Sequence, residues 1–122
     1  MESPAIFDTN ILIDLFSGHF EAAKILDRHS QRRAISLITW IEVMVGAKKY
    51  HQEVETREAL DSFEIFPVSA TVAERSVLIR QEHRIKLPDA IILATAQVYS
   101  RALITRNTKD FAGIAGVTIP YE

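Results

Sequence analysis

Residues 5–16 read AIFDTNILIDLF, and this stretch divides into three parts of different chemistry. Residues 5–7 are apolar, as in a short buried strand, and residues 8–10 are polar. Residues 11–16 are mostly apolar and are followed by Ser17 and Gly18, a pair that commonly ends a helix. We therefore predict a strand, a polar turn and a helix, with Asp8 directly at the carboxyl end of the strand.

Short apolar strands alternate with longer amphipathic segments along the rest of the chain. Further strands are predicted at residues 33–37, 102–105 and 117–119, and residues 64–68 form either a brief strand or an extended link. Helices are predicted at residues 19–28, 36–47, 53–63, 71–83 and from Pro88 to about 96, with a capping box at residues 71–74. This alternation indicates an α/β protein with a short, mostly parallel central sheet flanked by helices. Functional residues of such sheets lie outside the carboxyl ends of the strands.

Length and composition limit the class of protein. The chain has 122 residues, of which 48% are hydrophobic, as expected of one compact domain spanning residues 1–122. Cysteine is absent, which excludes disulfides, zinc–thiolate sites and thiol nucleophiles. We find no signal-peptide pattern and no apolar run near the ~20 residues that span a bilayer, so we expect a cytoplasmic protein that does not enter membranes. The net charge of −2 does not by itself indicate a nucleic-acid binder.

Two acidic residues in the first half of the chain have unusual neighbours. Asp8 follows a predicted strand, although the simpler interpretation is that Asp8 or Asn10 caps the next helix. Glu42 is the only charged residue between Arg33 and Lys48, so we expect it to have a partner or a metal ion. The alternative for Glu42 is a capping box over residues 39–42 (TWIE), in which its side chain reaches back to the backbone of Thr39.

Two further acidic residues lie in the second half of the chain. Asp89 follows Pro88 at the start of the most apolar helix, where the helix dipole favours an anion and a purely structural carboxylate is equally expected. Asp110 lies beyond a predicted strand in residues 105–111 (TRNTKDF). Its alternative is a loop or helix-cap carboxylate, with Phe111 packed in the core.

A single cause accounts for all four carboxylates, since each occupies a strand end or a helix start and all four can face one cleft. Carboxylates gathered together raise one another's pKa and destabilise the fold unless a cation lies among them. Mg²⁺ or Mn²⁺ is the expected cation because hard divalent ions prefer oxygen ligands. The four histidines, His19, His29, His51 and His83, lack zinc-ligand spacing, and no Gly-rich phosphate loop is present.

The ordered motifs resemble those of the PIN domain, and in particular of the VapC-type toxins of bacterial and archaeal toxin–antitoxin pairs. They are residues 6–10 (IFDTN), residues 36–42 (SLITWIE) with Gly46 beyond, residues 87–90 (LPDA), and residues 105–107 (TRN) followed by Asp110 and Phe111. The resemblance covers the whole chain and implies a PIN-like three-layer fold, a homodimer and a separately encoded antitoxin. It also implies an acidic catalytic metal site of Asp8, Glu42, Asp89 and Asp110, supported by Thr9, Asn10, Thr105 and Asn107.

The resemblance implies a metal-dependent endoribonuclease. A metal-activated water would attack phosphorus in line and leave 5′-phosphate and 3′-hydroxyl ends. Four basic residues lie close in sequence to Asp89 or Asp110, and at least one is predicted to contact RNA phosphates: Arg84, Lys86, Arg106 and Lys109. The alternative is that these long side chains are simply solvated.

Two other functional classes remain open at this point. An aspartate-based phosphoacceptor or phosphatase domain also has an α/β fold and uses Mg²⁺. Such a phosphatase needs a second Asp two residues after the first, where this chain has Asn10, and a receiver needs an acidic pair ahead of its first helix. The second alternative is a non-catalytic module that binds RNA or protein, which suits the modest charge and leaves the acidic set without a purpose.

Overall fold

The computed structural model describes residues 4–29 and 32–121. Strands and helices alternate in the predicted order. The elements are β1 (Ala5–Phe7), α1 (Thr9–Phe16), α2 (Phe20–Arg28), β2 (Arg33–Ser36), α3 (Leu37–Lys49), α4 (Glu53–Leu60), β3 (Glu64–Phe66), α5 (Ala70–His83), α6 (Leu87–Val98), β4 (Ala102–Ile104), α7 (Thr108–Phe111) and β5 (Val117–Thr118). The prediction of an α/β fold is confirmed, and α7 is an element that the sequence patterns did not predict.

Within the described residues, five strands form one parallel sheet in the order β3-β2-β1-β4-β5. The chain builds the sheet outward from β1 to β3 and then crosses back to place β4 on the other side of β1. The gap between β1 and β4 is therefore the switch point at which open sheets bind ligands. Phe7 is in register with Ile104, so Asp8 and Thr105 leave the sheet side by side.

Two apolar clusters pack on opposite faces of the sheet. Phe7 belongs to the cluster covered by α1 to α4, and its neighbour Ile6 belongs to the cluster covered by α5 to α7. Successive strand residues point to opposite faces, so the all-buried strand β1 supplies both clusters. The result is the predicted three-layer arrangement of helices, sheet and helices.

Serine residues cap α3 and α5, so the predicted capping box at residues 71–74 is wrong, and so is the alternative capping box at residues 39–42. Ser36 caps α3 and accepts a hydrogen bond from the backbone N of Ile38 at 3.1 Å. Ser69 caps α5 in the same way, with Val72 as donor at 3.2 Å. Both serines have the extended backbone that a cap requires, whereas Thr39 and Thr71 lie inside their helices.

The burial of individual helices agrees with the sequence patterns in part. Six of the twelve residues of α6 are buried, as its continuous apolar sequence predicts. In α2 the buried residues are Ala22, Ile25 and Leu26, whereas Phe20, which shares its predicted apolar pattern, is 71% exposed. No helix in residues 4–29 or 32–121 has the length and apolar character needed to cross a membrane.

Candidate active site

Asp8 is the innermost residue of the candidate site and is only 3% exposed. It caps α1 through Oδ1, which accepts a hydrogen bond from the backbone N of Thr9 at 2.7 Å. Its Oδ2 accepts hydrogen bonds from the Thr105 hydroxyl at 2.6 Å and from Nδ2 of Asn10 at 3.3 Å. The interpretation of Asp8 as a helix cap is therefore correct for Oδ1, while Oδ2 has other partners. Burial raises the pKa of Asp8 and the charge of Glu42 raises it further, while the hydrogen bonds from Thr105, Thr9 and Asn10 oppose the rise.

Glu42 is linked to the first turn of α1 rather than to its own helix start. Its Oε1 accepts a hydrogen bond from the Thr9 hydroxyl at 2.6 Å, and the hydroxyl oxygens of Thr9 and Thr39 are 3.0 Å apart. Glu42 is exposed, and so are its apolar neighbours Ile41 and Val45. The isolation of Glu42 in the sequence thus reflects an exposed apolar face of α3 and not a buried charge.

Asp89 and Asp110 occupy the first turns of α6 and α7, and their carboxyl groups lie near enough for a hydrogen bond when one of them is protonated. Asn107 caps α7 by accepting from the backbone N of Asp110 at 3.1 Å, and its Nδ2 donates to Oδ2 of Asp110 at 3.0 Å. Asp110 is therefore part of a helix cap, as its alternative interpretation proposed, although the capping residue itself is Asn107. The Asn107 side chain thus orients the Asp110 carboxylate through Oδ2. It makes no bond to the other carboxylate oxygen, Oδ1.

The electrostatics of Asp89 connect the four carboxylates. The pKa of Asp89 is raised from 3.8 to about 6, first by burial and then by the nearby Asp8, Asp110 and Glu42, which all contribute to this rise. Such mutual repulsion is what a bound cation relieves, and carboxylate oxygens are ligands that Mg²⁺ and Mn²⁺ accept. The four side chains therefore offer oxygen ligands of the chemical type that a divalent cation prefers. Among the residues that the structure describes, no three Asp, Glu or His side chains lie close enough to hold one ion as they stand. The metal site remains a prediction.

The four residues predicted to support the site each contact one of its carboxylates. Thr9 donates to Glu42, Asn10 and Thr105 donate to Asp8, and Asn107 donates to Asp110. Thr105 is fully buried, and its hydroxyl also accepts hydrogen bonds from Asn10 Nδ2 at 3.2 Å and from the Asn107 backbone N at 3.1 Å. One hydroxyl thus joins the two chain segments that carry Asp8 and Asp110.

A family model described as the PIN domain matches residues 5–117, nearly the whole chain. The chain belongs to the PIN-domain family. It is 67% identical to a chain of the toxin–antitoxin complex from Klebsiella pneumoniae, with a TM-score of 0.94 and coverage of 97% of this chain and 98% of that one. Against FitAcB from Neisseria gonorrhoeae the identity is 25%, the TM-score 0.81 and the coverage 95% and 97%. A search of curated protein sequences finds no match.

Other solved structures share the PIN fold at lower identity. A chain of the DNA-bound VapBC from Salmonella typhimurium is 20% identical, with a TM-score of 0.82 and coverage of 97% of both chains. At that identity the likeness shows the fold alone. The fold is thus retained where four-fifths of the aligned residues differ.

The basic residues of this PIN domain differ in their surroundings. Arg84, Lys86 and Lys109 are exposed at helix ends or within the short helix α7. Arg106 is instead engaged by Asp14, with Nε 2.7 Å from Oδ2 and Nη2 3.3 Å from Oδ1. Contact of any of the four with RNA stays a prediction.

Three residues that contact the candidate site or Arg106 were not predicted from the sequence, namely Asp14, Thr39 and Tyr121. The Tyr121 hydroxyl donates to Oδ2 of Asp14 at 2.8 Å, and the Tyr121 ring stacks on His19 at 4.8 Å. Asp14 has a local signal, since it is the one charged residue among the apolar residues of α1 and follows Asn10 by one helical turn. Thr39 has a similar signal, lying one turn before Glu42. Tyr121 has none, because it lies 107 positions from Asp14.

Proposed function

We propose that this chain is a Mg²⁺- or Mn²⁺-dependent endoribonuclease and the toxin of a VapBC-type toxin–antitoxin pair. The observation that carries the proposal is the group of carboxylates at the switch point of the sheet, where three acids contribute to raising the pKa of a fourth, Asp89, to about 6. Membership of the PIN family and the 67% identity to a chain of a toxin–antitoxin complex support it. Such a toxin would act on RNA in the cytoplasm.

The mechanism assigns distinct tasks to the residues of the site. Asp8, Glu42, Asp89 and Asp110 would hold the cation. A divalent cation held there would supply a water of lowered pKa for in-line attack on phosphorus, and the expected products are 5′-phosphate and 3′-hydroxyl ends. Thr105 and Asn10 orient the inner carboxylate of Asp8, Thr9 orients Glu42, and Asn107 orients Asp110. Asp89, with its raised pKa, must lose its proton before it can act as a ligand.

Product analysis tests the proposed chemistry directly. The purified chain is incubated with RNA and Mn²⁺, and the fragment ends are read by ligation and phosphatase-sensitive labelling. We expect 5′-phosphate and 3′-hydroxyl ends, no cleavage in EDTA, and cleavage of RNA that carries a 2′-O-methyl group at the scissile position. Asp110→Asn should be inactive, while the control Asp61→Asn, which changes an exposed carboxylate at the end of α4, should retain activity.

Four results would contradict the proposal. Cleavage that persists in excess EDTA removes the metal from the mechanism. Fragments with 2′,3′-cyclic phosphate ends show that the 2′-hydroxyl is the nucleophile. An RNA- or protein-binding module would bind RNA or a protein partner without cleaving RNA, and a phosphoacceptor would form an acid-stable, hydroxylamine-sensitive acylphosphate. The burial of Asp8, with hydrogen bonds to both of its oxygens, disfavours the phosphoacceptor.

The proposed antitoxin has a suitable surface beside the acidic site. A groove of about 210 Å³ between α1, α3 and α4 is lined by apolar side chains, including Ile13, Phe16 and Tyr50, with Glu42 at its border. Ile13 is 51% and Tyr50 67% exposed. Large exposed apolar surfaces commonly mark protein interfaces. We expect the antitoxin to place apolar side chains in this groove and a basic side chain toward the carboxylates.

The proposed homodimer has a second apolar surface available. A cleft of about 470 Å³ between α5 and α6 is lined mainly by apolar residues, among them Val77, Leu87 and Ile91. Val77 is 57% and Leu87 55% exposed. This cleft shares no lining residue with the proposed antitoxin groove, so the two surfaces can be tested separately.

A further inference from the structure

We infer that Asp14 and Tyr121 are positioning residues for the acidic site, acting through Arg106 to set the separation of Asp8 and Asp110. The inference rests on the proposed function, because the purpose of that separation is to bind a divalent cation. Neither Asp14 nor Tyr121 contacts the four carboxylates in the contacts described above. We expect their effect to be transmitted by residues 105–107, which connect β4 with α7.

The first step is the anchoring of the Arg106 side chain. Asp14 receives two hydrogen bonds from its guanidinium, at 2.7 and 3.3 Å, and one from the Tyr121 hydroxyl at 2.8 Å. The paired fork geometry fixes the direction of the guanidinium as well as its distance. The Asp14 side chain is 15% exposed, so the pair is partly shielded from solvent. Burial alone would raise the pKa of Asp14, but the hydrogen bonds from Tyr121 and Arg106 and the Arg106 charge lower it, which keeps the anchor ionised.

The second step is the position of Arg106 in the chain. It lies between Thr105, which donates to Asp8 at 2.6 Å, and Asn107, which donates to Asp110 at 3.0 Å. The backbone N of Arg106 also donates to Oδ1 of Asn10 at 3.1 Å, which turns the Asn10 amide so that Nδ2 faces Asp8. A single anchored residue therefore orients the groups that hold two carboxylates on different segments.

The third step is that the segment beyond Arg106 has little structure of its own. Helix α7 contains four residues, fewer than a helix needs to be stable by itself. Its placement depends on Phe111, which is fully buried in the core at one end, and on the residues before its cap Asn107 at the other. Arg106 directly precedes that cap, so its anchoring contributes to the position of Asp110. Groups that orient metal ligands from outside the ligand shell typically change metal affinity by ~10–100-fold when they are removed.

The test compares Mn²⁺ binding by the wild-type chain, Asp14→Asn and Tyr121→Phe. Free Mn²⁺ is measured by its electron paramagnetic resonance signal, well below the melting temperature of each variant. We expect about ten-fold weaker binding for Asp14→Asn, and a smaller loss in the same direction for Tyr121→Phe, which removes one hydroxyl. RNA cleavage by both variants should need more Mn²⁺ for half-maximal rate and should approach the wild-type rate at saturating Mn²⁺.

Glu64→Gln is the matched control, because Glu64 also pairs with an arginine, Arg101, at 3.3 Å, next to the amino ends of β3 and β4. Its Mn²⁺ affinity should equal that of the wild-type chain. Wild-type affinity in Asp14→Asn and Tyr121→Phe would overturn the inference and leave the proposed function intact. A wild-type chain that binds no Mn²⁺ would overturn both. If Asp14→Asn does not fold, the affinity of Tyr121→Phe decides by the same criterion.

Discussion

Asp8 has two tasks at one position, since it caps α1 with one oxygen and accepts from Thr105 and Asn10 with the other. The cap fixes the rotamer of the carboxylate, and the second oxygen then faces the gap between β1 and β4. A buried carboxylate is costly unless hydrogen bonds or a cation compensate its desolvation. The three hydrogen-bond donors reduce that cost in the metal-free protein without removing it, as the raised pKa shows.

Thr105→Val tests the hydroxyl that connects the segments carrying Asp8 and Asp110. The substitution keeps the shape of the side chain and removes a donor to a buried carboxylate, so we expect a loss of about 2 kcal/mol in the free energy of unfolding. Cleavage should fall more than this loss of stability explains, because Asp8 is no longer oriented. Urea denaturation and initial cleavage rates measure the two effects. Thr95→Val is the control, since Thr95 is also fully buried but donates to the Ile91 carbonyl within α6; equal effects in both variants would argue against a role in the site.

Asp89→Asn should separate stability from activity. In the folded metal-free chain the pKa of Asp89 is about 6, above its ordinary value of 3.8. Its contribution to stability is therefore fully present below about pH 4 and is lost as the pH rises through about 6. The variant should lose this pH dependence, melt at an equal or higher temperature than the wild-type chain at pH 7.5 in EDTA, and be inactive.

Melting curves from pH 4 to 8 in EDTA provide the measurement for Asp89→Asn, read as the difference between variant and wild type so that other titrating groups cancel. The same ionisation predicts that Mn²⁺ binding weakens below pH 6, where protons compete for Asp89. A lower melting temperature for Asp89→Asn at pH 7.5, with cleavage retained, would identify Asp89 as a structural carboxylate of α6.

At the residue scale, the sequence predicts the positions of the candidate site residues at the ends of strands and the starts of helices better than it predicts their contacts. Asp8 and Asp110 were predicted from their places after strands, and those places follow from short-range patterns. The partner of Glu42 was not predicted, because Thr9 lies 33 positions away and only the packing of α1 on α3 brings the two together. The same holds for Tyr121, whose link to Asp14 exists only in the folded chain.

At the scale of elements, the pattern of apolar residues predicts the long helices and the buried strands. It does not predict the edge strand β3 or the short helix α7 reliably. Strand β3 was ambiguous because it is an edge strand in which Glu64 and Ile65 are exposed, so no alternation marks it. Helix α7 was missed because four residues are barely one helical turn. The start of α3 was predicted to within one residue. The start of α5 was predicted too late because Ser69 and Thr71 both lie near it, and only the backbone conformation selects the one that caps.

The two apolar surfaces can be tested with one substitution each, and we expect each substitution to weaken one interaction and leave the other unchanged. Tyr50→Glu places a charge in the groove between α1, α3 and α4, and should weaken capture of the antitoxin in co-expression and pull-down experiments. Val77→Glu places a charge in the cleft of α5 and α6 and should shift the chain from dimer to monomer in light scattering. Each variant is the control for the other. Loss of both interactions in either variant would indicate misfolding, which the melting temperature reports.

For the whole molecule, metal binding and folding should be linked, because the proposed cation would bind only where the sheet brings distant carboxylates together. Mn²⁺ at 100 times its dissociation constant should stabilise the chain by about 2.7 kcal/mol, seen as a rise in melting temperature. Asp89→Asn should show a smaller rise, and EDTA should reverse it in the wild-type chain. An equal rise in wild type and variant would place the bound metal elsewhere on the protein.

The pairing of β1 with β4 also bears on when the protein becomes active during its own synthesis. Asp8 leaves the ribosome early, yet its donor Thr105 lies 97 positions later in the chain. Central-strand pairing over such a distance is slow and must wait for translation, since non-local parallel contacts form only after the intervening chain is available. A nascent chain that lacks residues 102–110 therefore carries three of the four carboxylates, Asp8, Glu42 and Asp89, next to an incomplete sheet. A ribosome making this protein is thus exposed to its proposed nuclease activity only after most of the chain has been released into solution.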